Sequence, residues 1–322
     1  MLLRVREYCA VVPISLTAAT LAELSEKLAI ARDQKTRIDS IDLGGLNRIL
    51  EHTPEDMTVT VEAGVALREL QAHLARRGQW LPIDPPFDEK PIGSILATNA
   101  SGPRRFGYGT VRDWLIGLRV ALADGTTIKS GGNVVKNVAG YELAKLFVGS
   151  HGTLGVIVEA TFKLRPLPEV EAFVQYPFDS LEAPDGFLEK ALASTLVPTV
   201  IDLHNVGPRL AAVLGFAGAQ EDVKYQLAQA RELGAEEPAN LSYEKEFWHG
   251  AKREPVQKFS VLPSRVCATI KPLGNAPFVA RAGNGIIQYR GTPPARADIP
   301  RELFRRVKDT FDPHHLFPEL PQ

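Results

Sequence analysis

NVAGYELAKLFVGSHGTLGVI, Asn137 to Ile157, sets four glycines (Gly140, Gly149, Gly152 and Gly155) around one short helical segment. It carries no thiol, no pair of carboxylates and no cluster of metal-ligating side chains. Leu143, Leu146 and Phe147 recur at i, i+3 and i+4, which predicts a short helix with that face buried. Gly149 suits its C-terminal cap. GSHGTLG then turns into a strand over Val156–Leu164, and such a turn presents backbone N–H groups to an anionic or amide-edged ligand. His151 lies in the turn. With no neighbouring carboxylate to orient it, a solvated loop histidine is the commoner reading than an acid or base.

Upstream, PPFDEKPIGSILATNASGPRRFGYGT (Pro85–Thr110) is the other glycine-rich constellation. Gly93, Gly102, Gly107 and Gly109 permit close backbone approach or positive φ. Ser94, Thr98, Asn99 and Ser101 offer short hydrogen-bonding side chains, and Arg104 and Arg105 are candidates to face a phosphate. An ordinary Gly- and Ser-rich surface loop is the competing reading. Neither stretch is a GxGxxG following a strand or a GxxxxGK[ST] loop, so Rossmann and P-loop readings lack their motifs. No GxSxG elbow or HExxH occurs.

The 322-residue chain is long enough for two domains. Lys+Arg 37 against Asp+Glu 38 leaves a net charge of -1, which argues against a nucleic-acid partner. Cys9 and Cys267 are too few for a disulfide framework, a zinc site or an iron–sulfur cluster, and read as free thiols in a reducing compartment. Pro13 cuts short the apolar run after Arg4 and Arg6, and no stretch reaches the roughly 20 apolar residues of a span. The expected location is cytoplasmic, with any membrane contact made through a partner. His314-His315 and the other scattered histidines do not suggest a metal site.

Periodicity predicts a helix in TLAELSEKLAIARDQ capped by Thr20, a strand in MTVTVEAGV, and a helix in ALRELQAHLARRGQW ended by Gly78. LIGLRVALADGTTIKSGG reads as a hairpin through Asp124-Gly125. LGVIVEATFKLRPLP reads as a long strand ending at Pro166 and Pro168, a candidate domain boundary. Beyond it, AFVQYPF, PTVIDLH, LAAVLGFAG, FSVLPSRVCATI and GIIQYRG read as strands. SLEAPDGFLEKALAS, QEDVKYQLAQARELG and IPRELFRRVKDTF read as helices. The expected class is α+β, with an antiparallel second domain.

VEAGVALRELQAHL, PIGSILATNASGPRRFGYGTVRDWLIGLRVALADG and KNVAGYELAKLFVGSHGTLGVIVEATFKLRPLP, in this order and spacing, resemble the FAD-binding domain of the vanillyl-alcohol-oxidase, or PCMH, type. Within it the chain looks like the accessory subunits of glycolate oxidase complexes. The resemblance implies a two-lobed PCMH-type FAD-binding domain over 1–168, its N-terminal lobe shortened, and a smaller cap-like α+β domain over 169–322. It implies FAD as cofactor, lined by Ile92, Gly93, Ser94, Thr98, Asn99 and Gly102, with Tyr108 and Gly109 nearby and Gly155, Val156 and Ile157 at the adenine end. It further implies a catalytic flavoprotein subunit and an iron–sulfur subunit as partners, and oxidation of the CH–OH group of glycolate to glyoxylate. The redox chemistry would be the flavin's.

Two departures from that pattern matter. Between the first helix and DLGGLNRIL the family carries a glycine-rich pyrophosphate loop, whereas ARDQKTRIDSIDL runs almost directly from helix to strand. That loop supplies N–H groups to phosphate, each bond to a charged group contributing about 1.5–3 kcal/mol. In addition, RAGNGIIQY (Arg281–Tyr289) lacks the histidine that hydroxy-acid oxidases of this superfamily carry in a GDGNxH-like run. No catalytic acid or base is assigned in this chain. Two alternatives stay open: a cofactor-free structural subunit of the same complex, and a stand-alone flavin-dependent hydroxy-acid or alcohol oxidoreductase.

Overall fold

The computed structural model describes residues 14–132, 143–207, 210–236, 238–249, 254–292 and 301–319. Asn137–Glu142 of the opening stretch, with Gly140, and Cys9 lie outside these residues.

The first half begins with strand β1 (Ile14–Thr17), helix α1 (Leu21–Asp33) and strand β2 (Ile38–Asp42). The hydroxyl of Thr20 accepts the N–H of Glu23, capping α1 as its sequence predicts. Leu24, Leu28 and Ala31 form the buried stripe of α1. β1 and β2 pair in parallel as a two-stranded sheet. β3 (Ile49–Thr53), β4 (Thr58–Glu62), α2 (Leu67–Ala75) and the short β5 (Gln79–Trp80) follow. Then come α3 (Ile92–Thr98), α4 (Arg105–Tyr108), α5 (Val111–Trp114), β6 (Leu115–Ala121), β7 (Thr127–Gly131), α6 (Ala144–Phe147), β8 (Val156–Lys163) and the short β9 (Arg165–Pro166).

The main sheet of this half has the order β3-β4-β8-β6-β7, all antiparallel. β6 and β7 form the hairpin, in which Asp124 accepts the Thr126 N–H and Gly125 turns at φ +84°. One face packs Val59, Val61, Leu118 and Phe162 against Leu67, Leu70 and Leu74 of α2 and Ile92, Ile95 and Leu96 of α3. Val156 and Val158 pack instead with Leu24, Leu28 and Ile38, which attaches the α1 layer.

The second half contains β10 (Val170–Phe178), α7 (Pro184–Ala193), β11 (Val200–His204), β12 (Leu210–Gly218), α8 (Gln220–Glu232) and α9 (Ser242–His249). β13 (Val256–Ser260), α10 (Val266–Ile270), β14 (Phe278–Arg281), β15 (Ile286–Arg290) and α11 (Arg301–Phe311) complete it. Its sheet is antiparallel in the order β10-β12-β11-β14-β15-β13. Side-chain alternation along β12 sends Ala212 and Leu214 to the core with α7, α8 and α10, and Val213 to the opposite face under α9.

The α+β class and antiparallel sheets stand as the sequence implies. Three local expectations are corrected. FSVLPSRVCATI is a strand only as far as Ser260. From Pro263, whose fixed φ suits a helix start, the chain is helical and buries Val266, Cys267 and Ile270. In α6 the buried residues are Ala144 and Phe147 (1% exposed), while Leu143 and Leu146 are 36% and 39% exposed. One turn of helix presents a narrow face, and Phe147 takes it by packing edge-on against Phe311. Finally, Ile92–Thr98 of PIGSILAT forms helix α3, against the competing reading of an ordinary surface loop.

α11 and the residues after it return to the first half. Val307 and Phe311 join the core of the main sheet, and Leu316 and Phe317 join that of α1.

Gly64, after β4, sits with its Cα against the carbonyl oxygens of Leu43 and Leu46, both backbone atoms. Gly64→Ala is therefore expected to destabilise the fold by about 1–3 kcal/mol, the cost of over-packing, read as a lowered urea midpoint with an unchanged m-value.

Candidate functional site: a cleft between the two lobes of the first half

A cleft of about 530 Å³ opens between β2 and the α3/β8 side of the main sheet. Its walls are residues 38–44, the Ala63-Gly64 turn, Gly93, Ser94 and Ala97 of α3, His151 and Gly152, Gly155–Ile157, and Phe317-Pro318. The opening stretch thus supplies one wall, and its glycines have separate local reasons. Gly149 and Gly152 turn at φ +80° and +73°. Gly155 meets the Val120 side chain and the Ala121 carbonyl so closely that a Cβ would lie 2.7 Å from Val120 Cγ1. His151 is exposed, holds φ +54°, and has no side-chain partner among the described residues. It is a solvated rim residue, as expected of its isolation.

The turn is held from below by a single ammonium. Lys308 is 4% exposed. Its Nζ donates to the carbonyls of Thr153 (2.8 Å), Phe317 (3.0 Å) and Pro318 (3.1 Å) and to Asp312 Oδ2 (2.6 Å). Asp312, fully buried, also accepts the N–H groups of Leu316 and Phe317. Lys308 therefore joins the GTLG turn to the Phe317-Pro318 wall.

The eleven residues expected to line a cofactor are not all in one place. Gly93, Ser94, Gly155, Val156 and Ile157 line the cleft. Ile92 lies behind it, fully buried, with its N–H bonded to Val65 O. Thr98 is exposed and turns its hydroxyl back onto Ser94 O. Asn99 caps α3 at φ +48°, and its Oδ1 is buried with no partner among the described residues. Gly102 packs against Asp84. Tyr108 stacks edge-on to Trp80, and Gly109 turns at φ +78° beside Asp113.

Those last residues belong to a seam between the two sheets. Arg104 does not face a phosphate. It bridges Asp84 Oδ2 (3.1 Å) and Glu171 Oε1 (2.7 Å), joining the halves. Phe106 lies directly against Gly283, and the Gly107 N–H donates to Thr199 O at 2.9 Å. Behind the seam, Arg281 donates through Nη1 to Asp202 (2.5 Å) and Glu244 (2.6 Å), and Tyr243 OH donates to Asp202 at 2.7 Å. This buried network went unread in the sequence. Its members come from three elements, Asp202 from β11, Arg281 from β14 and the adjacent Tyr243 and Glu244 from α9, and only strand and helix periodicity could have put them together. Burial raises the Asp202 carboxyl to about 6 against the opposing pull of Arg281, and that of Asp84 to about 7 against Arg104. His204, stacked on Tyr243 at 4.3 Å, is driven down to about 4 by burial and stays neutral.

With this geometry in place, comparison with known proteins identifies the fold. Residues 17–131 match the family model of an FAD binding domain. Glycolate oxidase subunit GlcE of Escherichia coli is 32% identical over 246 residues, 76% of this chain and 66% of that protein. Over residues 17–131 the chain carries an FAD binding domain. Glycolate oxidase subunit GlcD of Bacillus subtilis is 37% identical over 49% of this chain and 34% of its own length. Among solved structures, an alkyldihydroxyacetonephosphate synthase superposes with a TM-score of 0.69 over 94% of this chain and 75% of that one, at 18% identity, which shows the shared fold. The chain thus spans between about a third and two thirds of these two curated relatives.

FAD is the cofactor of this family's domain, and the cleft fits one end of it. Backbone edges at Gly155–Ile157 and the Ser94 hydroxyl suit an uncharged nucleoside. The diphosphate end does not fit. α1 ends at Asp33, β2 begins at Ile38, and none of the linking Gln34, Lys35, Thr36 and Arg37 is glycine. The first N–H groups of α3 are taken, Ile92 by Val65 O and Gly93 by Ala63 O. No lysine or arginine lines the cleft among the described residues, while Asp39 and Asp42 do. No group of three or more metal-ligating side chains occurs among the described residues, and no helix there is long and apolar enough to cross a membrane.

Two outcomes follow from this geometry. Lys308→Met leaves Asp312 buried without its counter-charge and should cost about 3–5 kcal/mol, with faster amide exchange at Leu316 and Phe317. For His204, a folded value of about 4 against the ordinary 6.5 means the folded state binds fewer protons. Its contribution is full above pH 6.5 and is lost as pH falls toward 4. His204→Phe keeps the stacking and removes the titration. Between pH 7 and pH 5 the wild type should lose about 2 kcal/mol relative to this variant in urea melts.

Proposed function

We propose that this chain is the FAD-binding accessory subunit of a glycolate oxidase, or glycolate dehydrogenase, complex that oxidises glycolate to glyoxylate. It would work beside a catalytic flavoprotein subunit and an iron–sulfur subunit, and reach a membrane only through them. The carrying observation is the extent of similarity. The match to GlcE runs over 76% of the chain, into the second half, whereas those to GlcD and to a probable D-lactate dehydrogenase of Danio rerio cover 49% and 41%.

In this reading residues 1–168 form the cofactor domain and 169–322 the cap-like domain, with the tail returning to wall the cleft. FAD supplies the two-electron acceptance that turns a carbinol into a carbonyl. Gly155, Val156 and Ile157 hold the adenine end by backbone contacts, with Gly93 and Ser94 opposite. Ile92, Thr98, Asn99, Gly102, Tyr108 and Gly109 belong to the flavin side, where the unpartnered Asn99 Oδ1 is an acceptor available for a ring N–H.

Absence of an evident base supports an accessory role. In the run where hydroxy-acid oxidases carry histidine this chain has Arg281, already bonded to two carboxylates. His204 is too weakly basic at about 4 to take a hydroxyl proton near neutrality.

The test is reconstitution with and without this chain. Omitting it from the three-subunit complex should lower bound flavin by about one equivalent and abolish glycolate-dependent dye reduction, and the isolated chain should not turn over glycolate. Turnover by the isolated chain would establish a stand-alone oxidoreductase. Full flavin content without it would establish a cofactor-free structural subunit.

A further inference from the structure

Away from the cleft, two imidazoles of the first half meet at their ring nitrogens. His52 stands on β3 and His73 in the last turn of α2, and both are half-buried. His52 Nδ1 lies 3.3 Å from His73 Nε2, with ring centroids 5.2 Å apart and planes tilted by 57°. A third side chain, Gln79 of β5, orders them. Its Nε2 donates to Pro54 O at 2.7 Å, and its Oε1 lies 2.9 Å from His52 Nε2. A carbonyl only accepts, so the amide nitrogen must face Pro54 and the amide oxygen must face His52. His52 Nε2 therefore carries the ring proton, and Nδ1 is a bare lone pair beside His73. An outer partner that takes one ring N–H and frees the other nitrogen is the arrangement of a metal-ligating histidine.

The separation suits an ion better than a hydrogen bond. It exceeds the roughly 2.7–3.2 Å usual for a bond donated by N–H to oxygen. Two nitrogens 3.3 Å apart, each about 2.0–2.1 Å from a zinc ion, subtend about 104–111° at it, close to tetrahedral. A ligand imidazole must also be neutral. Burial, then His52 and Arg76, hold His73 below the ordinary histidine range. His315 is the contrasting case. Its Nε2 faces Asp309 at 3.1 Å and its Nδ1 faces Glu319 at 3.3 Å, and opposite nitrogens of one ring cannot converge on one ion.

We propose that His52 Nδ1 and His73 Nε2 together bind one divalent transition-metal ion of the zinc type, with Gln79 fixing the His52 tautomer. No group of three or more His, Cys, Asp or Glu side chains occurs among the described residues, so solvent completes the coordination. Nitrogen ligands select zinc, nickel or copper over magnesium and calcium, which take oxygen. The ion ties β3 to the end of α2, and by binding only the folded chain it stabilises the first half. Neither histidine lines the cleft, so this site stands independently of any flavin.

The test uses the full-length, tag-free chain, stripped with chelator and titrated with zinc chloride in a calorimeter. The wild type should bind one equivalent in a saturable step and melt at a higher temperature with Zn²⁺ but not with Mg²⁺. His73→Ala, which places a good helix former in α2, should weaken binding by more than about tenfold, the least that losing even an outer partner costs. His315→Ala should leave the affinity unchanged. A second measurement needs no variant: in heteronuclear NMR of the wild-type imidazoles, His52 Nδ1 and His73 Nε2 should shift on adding Zn²⁺ while His52 Nε2 keeps its proton. Absence of a saturable zinc step, or spectra in which those two nitrogens do not move, would overturn the proposal. So would a His73→Ala protein that binds as the wild type does, or a His315→Ala protein that loses the ion.

Discussion

One ammonium group organises the site. Lys308 Nζ is surrounded by three backbone carbonyls and the Asp312 carboxylate, all inside the protein. A charge there is tolerable only because each of its protons has an acceptor and one acceptor is anionic. The geometry leaves no freedom in the surrounding segments. The GTLG turn, the end of α11 and the Phe317-Pro318 wall must all be in place together, or the ammonium is stranded. A chain that ends up far from its beginning is thereby made part of the first half, and the cleft acquires its third wall.

Much of this was legible in the sequence where period and punctuation agree. Thr20 before a leucine stripe gave α1, Asp124-Gly125 between alternating runs gave the hairpin, and the strands of the second half stood out by apolar alternation. What period alone could not show was competition for a small core. In α6, Leu143 and Leu146 have the right spacing to be buried. Phe147 wins because Phe311, more than 160 residues later, waits for it. FSVLPSRVCATI misleads because its apolar and β-branched residues suit a strand, while the proline at 263 decides the backbone.

The candidate site was legible in the same uneven way. Gly93, Ser94 and Gly155–Ile157 come from segments about 60 residues apart in sequence and meet across one cleft. Arg104 reads in the sequence as a phosphate ligand. It is bound at the seam, because Asp84 and Glu171 approach it from opposite halves and a guanidinium satisfies both. The Asp202–Arg281–Glu244 network had no local signature, since its three charged members lie on three different elements. The missing loop was the clearest sequence observation of all: a direct helix-to-strand passage is visible without any structure.

The wall formed by Phe317 and Pro318 has a consequence for synthesis. Strands β2 and β8 and helix α3 have all left the ribosome long before residue 318 is added. Until then the cleft lacks a side, Thr153 lacks its bond to Lys308, and the α1 core lacks Leu316 and Phe317. A chain interrupted before residue 308 lacks both the ammonium that fastens the GTLG turn and the Phe317-Pro318 wall, so its cleft stays open on that side.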